Sequence, residues 1–287
     1  MTIRPFTPAQ EAPEVLERRT VGRDSLLAVL ARRLREAATS ATRQHTLLVG
    51  PRGSGKTHLL RVVEHQVGRD PAVAGRLLFA RVPEDVVGVT SYAALLRQLC
   101  ISARADPGRE RDPAALERLL LDRAGERTVV IVIENLDRVF RSIGLDGQRD
   151  LRSWVETSGR VLLLTATPAL FDAVKERDKP WFAGLIVTPV EGLSAEDGRD
   201  LLIRLALDRD DQALAALLQS DRGQARVRAV SRLTAGSARI WMVLSECLTV
   251  ENLTELIPAI EALVESLVPY YQSLLWDLPD NHQAICR

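Results

Sequence analysis

Eight consecutive residues have the types and the spacing needed to hold a polyphosphate. They fit the P-loop pattern G-x-x-x-x-G-K-[ST] and read Gly50-Pro51-Arg52-Gly53-Ser54-Gly55-Lys56-Thr57. Glycines let backbone N–H groups turn inward around phosphate oxygens with no Cβ in the way. The Lys56 ammonium can reach the β- and γ-phosphates, and the Thr57 hydroxyl can bind Mg²⁺. The pattern predicts contacts to a nucleoside triphosphate throughout this loop and at the next residue, His58.

The segments on either side of the loop are those that the motif requires. Residues 45–49 read as a buried strand, and apolar residues recur at helical spacing over 59–67 before Gly68. The helix would direct the positive end of its dipole at the phosphates. A fortuitous glycine-rich turn is the alternative, which this strand-loop-helix context disfavours.

A second polar group follows the most strand-like run of the chain. Residues 128–133 are β-branched and apolar, which is typical of a central strand in a parallel sheet. Glu134 comes next, and Asn135 and Asp137 lie just beyond it. Because ligands meet α/β folds at strand ends, Glu134 is predicted to hold Mg²⁺ together with Thr57. An ordinary polar exit from a strand is the alternative.

The wider pattern of the chain predicts an α/β fold. We expect a P-loop NTPase parallel sheet covered by helices on both faces, followed by a smaller all-helical lid. Further strands are expected at 77–82, 161–165 and 185–188, and helices at 24–34, 91–102 and 113–123. Beyond Gly192 the chain reads only as helices, at 194–207, 210–219, 224–233, 237–248 and 251–267. The predicted parts are an exposed N-terminal arm at 1–20, a core at 21–192, a lid at 193–267 and a tail at 268–287 that resembles the start of a truncated module.

Composition narrows the class of protein. The 287 residues carry no net formal charge, and 46% are hydrophobic and 26% charged, as in ordinary globular proteins. No apolar run approaches the ~20 residues of a membrane span. The cysteines are few and far apart, which favours a reducing compartment. We therefore expect a cytoplasmic protein with no membrane partner.

The order of these motifs resembles that of the AAA+ ATPases, and most closely their origin-recognition-like branch and the related STAND signalling ATPases. Thr20-Val21-Gly22-Arg23-Asp24 resembles the GR(D/E) signature that these proteins place near the adenine. Thr165-Ala166-Thr167-Pro168 resembles their sensor 1, and Gly236-Ser237-Ala238-Arg239 resembles their sensor 2. The resemblance implies that ATP contacts Gly22, Arg23, Thr165, Thr167 and Arg239.

The resemblance also implies catalytic roles. Lys56, Glu134 and Asp137 are expected to serve catalysis, and Arg239 is expected to reach the γ-phosphate from the lid; a solvated surface arginine is the alternative. Arg177 lies where AAA+ rings carry an arginine finger, although a salt-bridged surface loop is the simpler explanation.

One departure from the family pattern concerns catalysis. The family has an acid pair after the strand, whereas this chain has Glu134-Asn135. An amide can orient water but cannot accept its proton, so either Asp137 takes over or hydrolysis is slow.

These patterns lead to two functional hypotheses. The first is a Mg²⁺-dependent ATP hydrolase whose turnover drives lid closure or assembly on a partner macromolecule, either DNA or a protein effector, with a homo-oligomer as a further expectation. The alternative is a STAND-like, nucleotide-gated switch or adaptor that binds ATP with little turnover. A cluster of lid arginines, Arg222, Arg226, Arg228 and Arg232, reads by default as a solvated helix.

Overall fold

A computed structural model describes residues 10–82, 88–254, 265 and 268. The chain divides into two compact units. The sheet unit comprises Asp24–Arg52 and Lys56–Val190, and the helical unit comprises the residues up to Arg23, Gly53–Gly55 and the residues from Glu191 onward. The predicted core at 21–192 thus differs from the sheet unit, because Val21–Arg23 and the middle of the P-loop group with the helices.

Five parallel strands form the sheet, in the order β2-β3-β4-β1-β5. Their bounds are β1 Thr46–Val49, β2 Leu77–Val82, β3 Thr128–Ile133, β4 Val161–Thr167 and β5 Ile186–Pro189. Every residue of β3 and β4 is buried, so helices cover both faces of the sheet centre. The predicted α/β P-loop fold is confirmed. Strand β4 extends two residues beyond its predicted end, which carries Thr167 to the same edge as the P-loop.

The helices of the sheet unit follow the strands. They are α2 Asp24–Thr39, α3 Lys56–Gly68, α4 Tyr92–Ser102, α5 Pro113–Ala124, α6 Leu136–Ser158 and α7 Asp172–Lys175. Side chains of Ser91 and Asp112 accept backbone N–H groups at the starts of α4 and α5, which fixes where these helices begin. Helix α6 is interrupted at Gly144, where φ is 71°.

The helical unit contains α1 Pro13–Arg18, α8 Ala195–Asp208, α9 Gln212–Gln219, α10 Asp221–Thr234, α11 Ala238–Cys247 and α12 Val250–Thr254. Helix α8 begins with a capping box between Ser194 and Asp197. Trp241 is fully buried in this core, and a Cβ at Gly198 would lie 2.4 Å from its ring. Glycine at this position therefore allows α8 and α11 to pack closely.

The expectation of an exposed arm over 1–20 is wrong for its second half. Residues 13–18 form α1, and Leu16 within it is completely buried. Burial of an apolar side chain is favourable, so this helix packs on the protein and is not an exposed arm. The predicted helix at 251–267 and the tail at 268–287 lie largely outside the described residues. Among the described helices, none has the length together with the apolar character that crossing a membrane requires.

Candidate nucleotide site

The P-loop connects the end of β1 to the start of α3. Gly53 and Gly55 have φ values of 82° and 93°, which side chains other than glycine rarely adopt. The N–H of Gly50 donates to the carbonyl of Thr167, 3.3 Å away in the adjacent strand. Ser54 is 2% exposed, and its hydroxyl has no hydrogen-bond partner within the described part of the chain. A loop with this backbone suits a phosphate, because successive amides can turn toward one anion.

Lys56 lies at the first position of α3. Its ammonium nitrogen donates to the carbonyl oxygens of Gly50, at 2.6 Å, and Pro51, at 3.0 Å. The ammonium therefore stays beside the loop that it is predicted to serve. Phosphate oxygens, which carry more charge than these carbonyls, would compete well for the same donor.

The structure brings the two predicted metal ligands together. The hydroxyl of Thr57 donates a short hydrogen bond to Oε2 of Glu134. Glu134 follows β3 directly, and Thr57 is the second residue of α3, so the strand end and the P-loop helix meet here. A hydroxyl and a carboxylate are the hard oxygen ligands that Mg²⁺ prefers, and the pair fits this cation.

Asn135 is the residue before α6, and Asp137 is the second residue of that helix. Asn135 has a left-handed backbone with φ of 64°, which asparagine tolerates better than most residues. Oδ1 of Asp137 lies 3.1 Å from the hydroxyl of Thr167, which also lies 3.0 Å from the carbonyl of Ala169. The tip of β4 thus orients Asp137 beside the strand that carries Glu134.

Thr165 has a different role from the one that the resemblance implies. It is completely buried, and its hydroxyl donates to the carbonyl of Thr46 at 3.0 Å. This bond ties β4 to β1 and uses the hydroxyl proton inside the sheet. We therefore no longer expect the Thr165 hydroxyl to contact the nucleotide, and the contact expected for Thr167 stays a prediction.

In the helical unit, Arg23 and Gly22 lie against the middle of the P-loop, Glu191 and the start of α8. The guanidinium of Arg23 donates to the carbonyls of Glu191, at 2.6 Å, and Ser54, at 3.3 Å. Gly22 has φ of 59°, and a Cβ there would lie 2.2 Å from Oδ1 of Asp197. Burial lowers the pKa of the Arg23 guanidinium, and the charges of Asp197 and Glu191 oppose this shift.

The sensor-2 segment approaches the same part of the loop. The backbone N–H of Arg239 donates to the carbonyl of Gly53 at 3.2 Å, while its side chain is exposed. The side chain of Ser237 caps α11, and its oxygen would lie 2.6 Å from a Cβ at Gly53. Arg239 thus contacts the P-loop through its backbone.

Arg177 lies apart from these groups in the chain, in the exposed turn after α7. Its neighbour Lys179 forms ion pairs with Glu176, at 3.5 Å, and Asp178, at 3.4 Å. The loop therefore contains the surface ion pairs of the simpler explanation, and the finger role of Arg177 stays a prediction.

Sequence reasoning missed Arg81 on the edge strand β2. It forms an ion pair with Glu64 of α3, and burial, reinforced by Arg61, lowers its pKa to about 10, while the charge of Glu134 opposes the shift. The register pairs Arg81 of β2 with Val132 of β3, and Glu134 lies two residues after Val132. Because side chains alternate between the two faces of a sheet, Arg81 and Glu134 lie on the same face. The alternation could be used only with the register between β2 and β3, which the sequence does not give. Sequence reasoning placed Ser237 in the sensor-2 segment but did not predict that it lies against Gly53, or that Asp197 lies against Gly22.

Comparisons with known proteins agree with this geometry. Residues 38–174 match the family model of the AAA domain. The fold is similar to that of Aeropyrum pernix ORC2 in its ADPNP-ADP complexes, with TM-score 0.65 and 14% identity over 86% of this chain and 68% of that chain. Drosophila ORC bound to DNA gives TM-score 0.63 and 14% identity over 93% of this chain and 72% of that chain. For A. pernix ORC1 in complex with DNA, the TM-score is 0.60 and the identity 16%, over 91% of this chain and 69% of that chain. No curated protein sequence matches.

The family match covers the loop, both predicted metal ligands and the sensor-1 strand, and the structural similarity extends over most of the chain. Residues 38–174 therefore match the AAA domain family, and the chain has a fold similar to that of the A. pernix and Drosophila ORC structures.

Proposed function

We propose that the protein binds Mg·ATP at the P-loop and hydrolyses it slowly, and that turnover changes the lid or its assembly on a partner macromolecule. The observation that carries this proposal is the hydrogen bond between Thr57 and Glu134. It joins the phosphate-binding loop to a carboxylate at a strand end, which is the pairing that a Mg²⁺-bound triphosphate needs.

Each residue has a distinct part in this proposal. Lys56 would exchange its carbonyl partners for phosphate oxygens, and Thr57 and Glu134 would hold Mg²⁺. The bound cation would neutralise charge that develops on the phosphate oxygens. Asn135 would orient the attacking water, and Asp137 would accept its proton. The Arg239 side chain would contact the γ-phosphate.

A second function, a nucleotide-gated switch with little turnover, is favoured by one specific observation. Asn135 occupies the position of the second acid, and Asp137, the next carboxylate after Glu134, is already hydrogen-bonded to Thr167. ATP binding would then persist while hydrolysis is lost.

Steady-state turnover and calorimetric binding of Mg·ATP, measured on the same preparations, separate the two functions. For the hydrolase, Glu134→Gln and Asp137→Asn should each lower turnover by about 100-fold while ATP remains bound. Both replacements are nearly isosteric, and each amide oxygen can still accept the threonine hydrogen bond. Bound ATP without turnover in the unmodified protein would favour the switch, and no heat of binding would refute both.

The partner and the oligomeric state belong to the same proposal. Relatives of this fold have been solved with DNA, so duplex DNA is the first candidate partner and a protein effector the second. Mass measurement with and without a slowly hydrolysed ATP analogue tests assembly. If Arg177 acts across a subunit interface, Arg177→Ala should lower the turnover of the ATP-dependent oligomer, whereas Lys175→Ala on the same exposed segment should not. A constant monomer would remove the finger role.

A further inference from the structure

Arg23 forms a bridge between two backbone segments of the helical unit. One guanidinium nitrogen, Nη2, lies 3.3 Å from the carbonyl oxygen of Ser54 and 2.6 Å from that of Glu191. The carboxylate of Asp197 contributes favourable charge nearby. An arginine that is partly removed from water needs such partners, because its charge is costly to bury without them. Arg23 is therefore fixed in place by the helical unit and bound to the phosphate loop through a carbonyl.

The direction of a bound carbonyl determines the direction of the next amide. In a trans peptide unit the C=O and the N–H point in opposite directions. When Arg23 holds the carbonyl of Ser54, the N–H of Gly55 must point away from Arg23. The same argument applies one residue earlier, where the N–H of Arg239 holds the carbonyl of Gly53 and so directs the N–H of Ser54.

Two consecutive amides, those of Ser54 and Gly55, are thereby turned to the side opposite their carbonyl partners. Gly53 and Gly55 have the positive φ values that this alternation requires. Such successive amides form the anion-binding concavity of a phosphate loop.

We propose that Arg23 is a positioning residue that orients the Gly55 amide for phosphate, and that it acts on the phosphates of the nucleotide and not on the adenine. This inference rests on the proposed function, because it concerns the same loop. It differs from the role that the family resemblance implies, in which the Gly-Arg signature lies near the base. The structure supports it through a contact to the loop backbone.

The decisive experiment compares two ligands on Arg23→Ala: ATP, and inorganic tripolyphosphate, which has no base. Loss of a charged hydrogen-bond donor costs roughly 10- to 100-fold in affinity, and an indirect effect should lie near the lower end, at about 10-fold. We expect the same weakening for both ligands. A variant that binds tripolyphosphate normally but ATP weakly would overturn the proposal in favour of base recognition.

Arg19→Ala is the matched control. Arg19 lies four residues before Arg23, and its guanidinium forms an ion pair with Asp208 of α8 at 3.1 Å. Like Arg23→Ala, Arg19→Ala therefore removes one positive charge and an interaction with α8, the helix that carries Asp197. It should leave the affinity for both ligands unchanged. An equal loss of affinity in Arg19→Ala would mean that any substitution that weakens this segment lowers phosphate binding, and the specific role of Arg23 would be refuted.

Arg23→Lys keeps the test decisive if Arg23→Ala does not fold. A lysine retains the charge but lacks the planar fork, so it should hold one carbonyl less well and weaken tripolyphosphate binding several-fold. Unchanged tripolyphosphate affinity in folded Arg23→Lys would overturn the inference. Lys56→Ala separates this outcome from failure of the proposed function: if the unmodified protein binds neither ligand, or if Lys56→Ala binds both normally, the nucleotide site itself is wrong.

Discussion

The candidate groups of the sheet unit differ in kind from those of the helical unit. In the sheet unit the groups are side chains at the edge where strands end: Lys56 and Thr57 after β1, Glu134 after β3 and Thr167 at the end of β4. In the helical unit the contacts involve the backbone of the loop itself, through the carbonyls of Gly53 and Ser54. The sheet unit thus presents polar side chains, whereas in the helical unit hydrogen bonds hold the backbone of the loop.

This difference predicts two kinds of mutant. A substitution at Lys56, Thr57 or Glu134 should remove one chemical contact and leave folding intact, because these side chains are polar and partly exposed. A substitution among the helical-unit contacts should alter packing first and binding second, because glycines there lie directly against side chains and backbone.

The largest expected effect is that of Lys56→Ala on nucleotide affinity. The ammonium is a charged donor, and its loss should weaken Mg·ATP binding by up to about 100-fold. The free energy of unfolding should change little, because the hydrogen bond to Gly50 is only partly buried and the one to Pro51 is exposed. Calorimetry and denaturant unfolding measure both quantities, and Lys175→Ala is the control for lost charge. Unchanged affinity in Lys56→Ala would contradict the claim that side chains of the sheet unit supply the chemical contacts to the nucleotide.

Gly22→Ala should show the opposite behaviour, with a loss of stability of about 2–3 kcal/mol. The left-handed backbone costs an alanine about 1 kcal/mol, and the contact with Asp197 adds to it. Gly159→Ala isolates the backbone cost, since Gly159 has φ of 61° and nothing within 4 Å of its Cβ position. Chemical denaturation of the two variants gives the comparison. Equal losses would show that Asp197 moves aside without cost.

The smallest expected effect is a dependence of the free energy of unfolding on pH, which arises from His45, the residue before β1. Burial lowers the pKa of His45 to about 4 from its ordinary 6.5, and Nδ1 accepts the N–H of Leu163 at 3.1 Å. Between these two values the unfolded chain binds the proton more readily, so stability falls as pH falls through this window. The loss should be about 1 kcal/mol between pH 7 and pH 5.5.

His45→Asn tests this assignment, because its amide oxygen can accept the Leu163 N–H but does not titrate. The contribution of His45 should vanish from the difference in unfolding free energy between pH 7 and pH 5.5. The same slope in both proteins would place the titration elsewhere.

Local patterns in the sequence determined much of the sheet unit. Strands β2 and β3 have their predicted bounds, because a run of buried apolar residues with turn residues on either side has few other solutions. Glu134 was recognised as a metal ligand candidate because any acid at a central strand end reaches the same edge as the P-loop. Leu16 was misassigned because one buried leucine in a polar segment gives no periodic pattern to recognise.

The sequence by itself determined the phosphate loop, the carboxylate after β3 and the parallel α/β class, since each depends on residues adjacent in the chain or on a short repeating pattern. Only the tertiary structure decided that Thr165 bonds inside the sheet, that Arg81 faces Glu134, and that Arg23 holds a P-loop carbonyl. These contacts join residues far apart in sequence. Every residue has a carbonyl, and suitable side chains occur at many positions. No local pattern in the sequence therefore specifies which of them forms the contact.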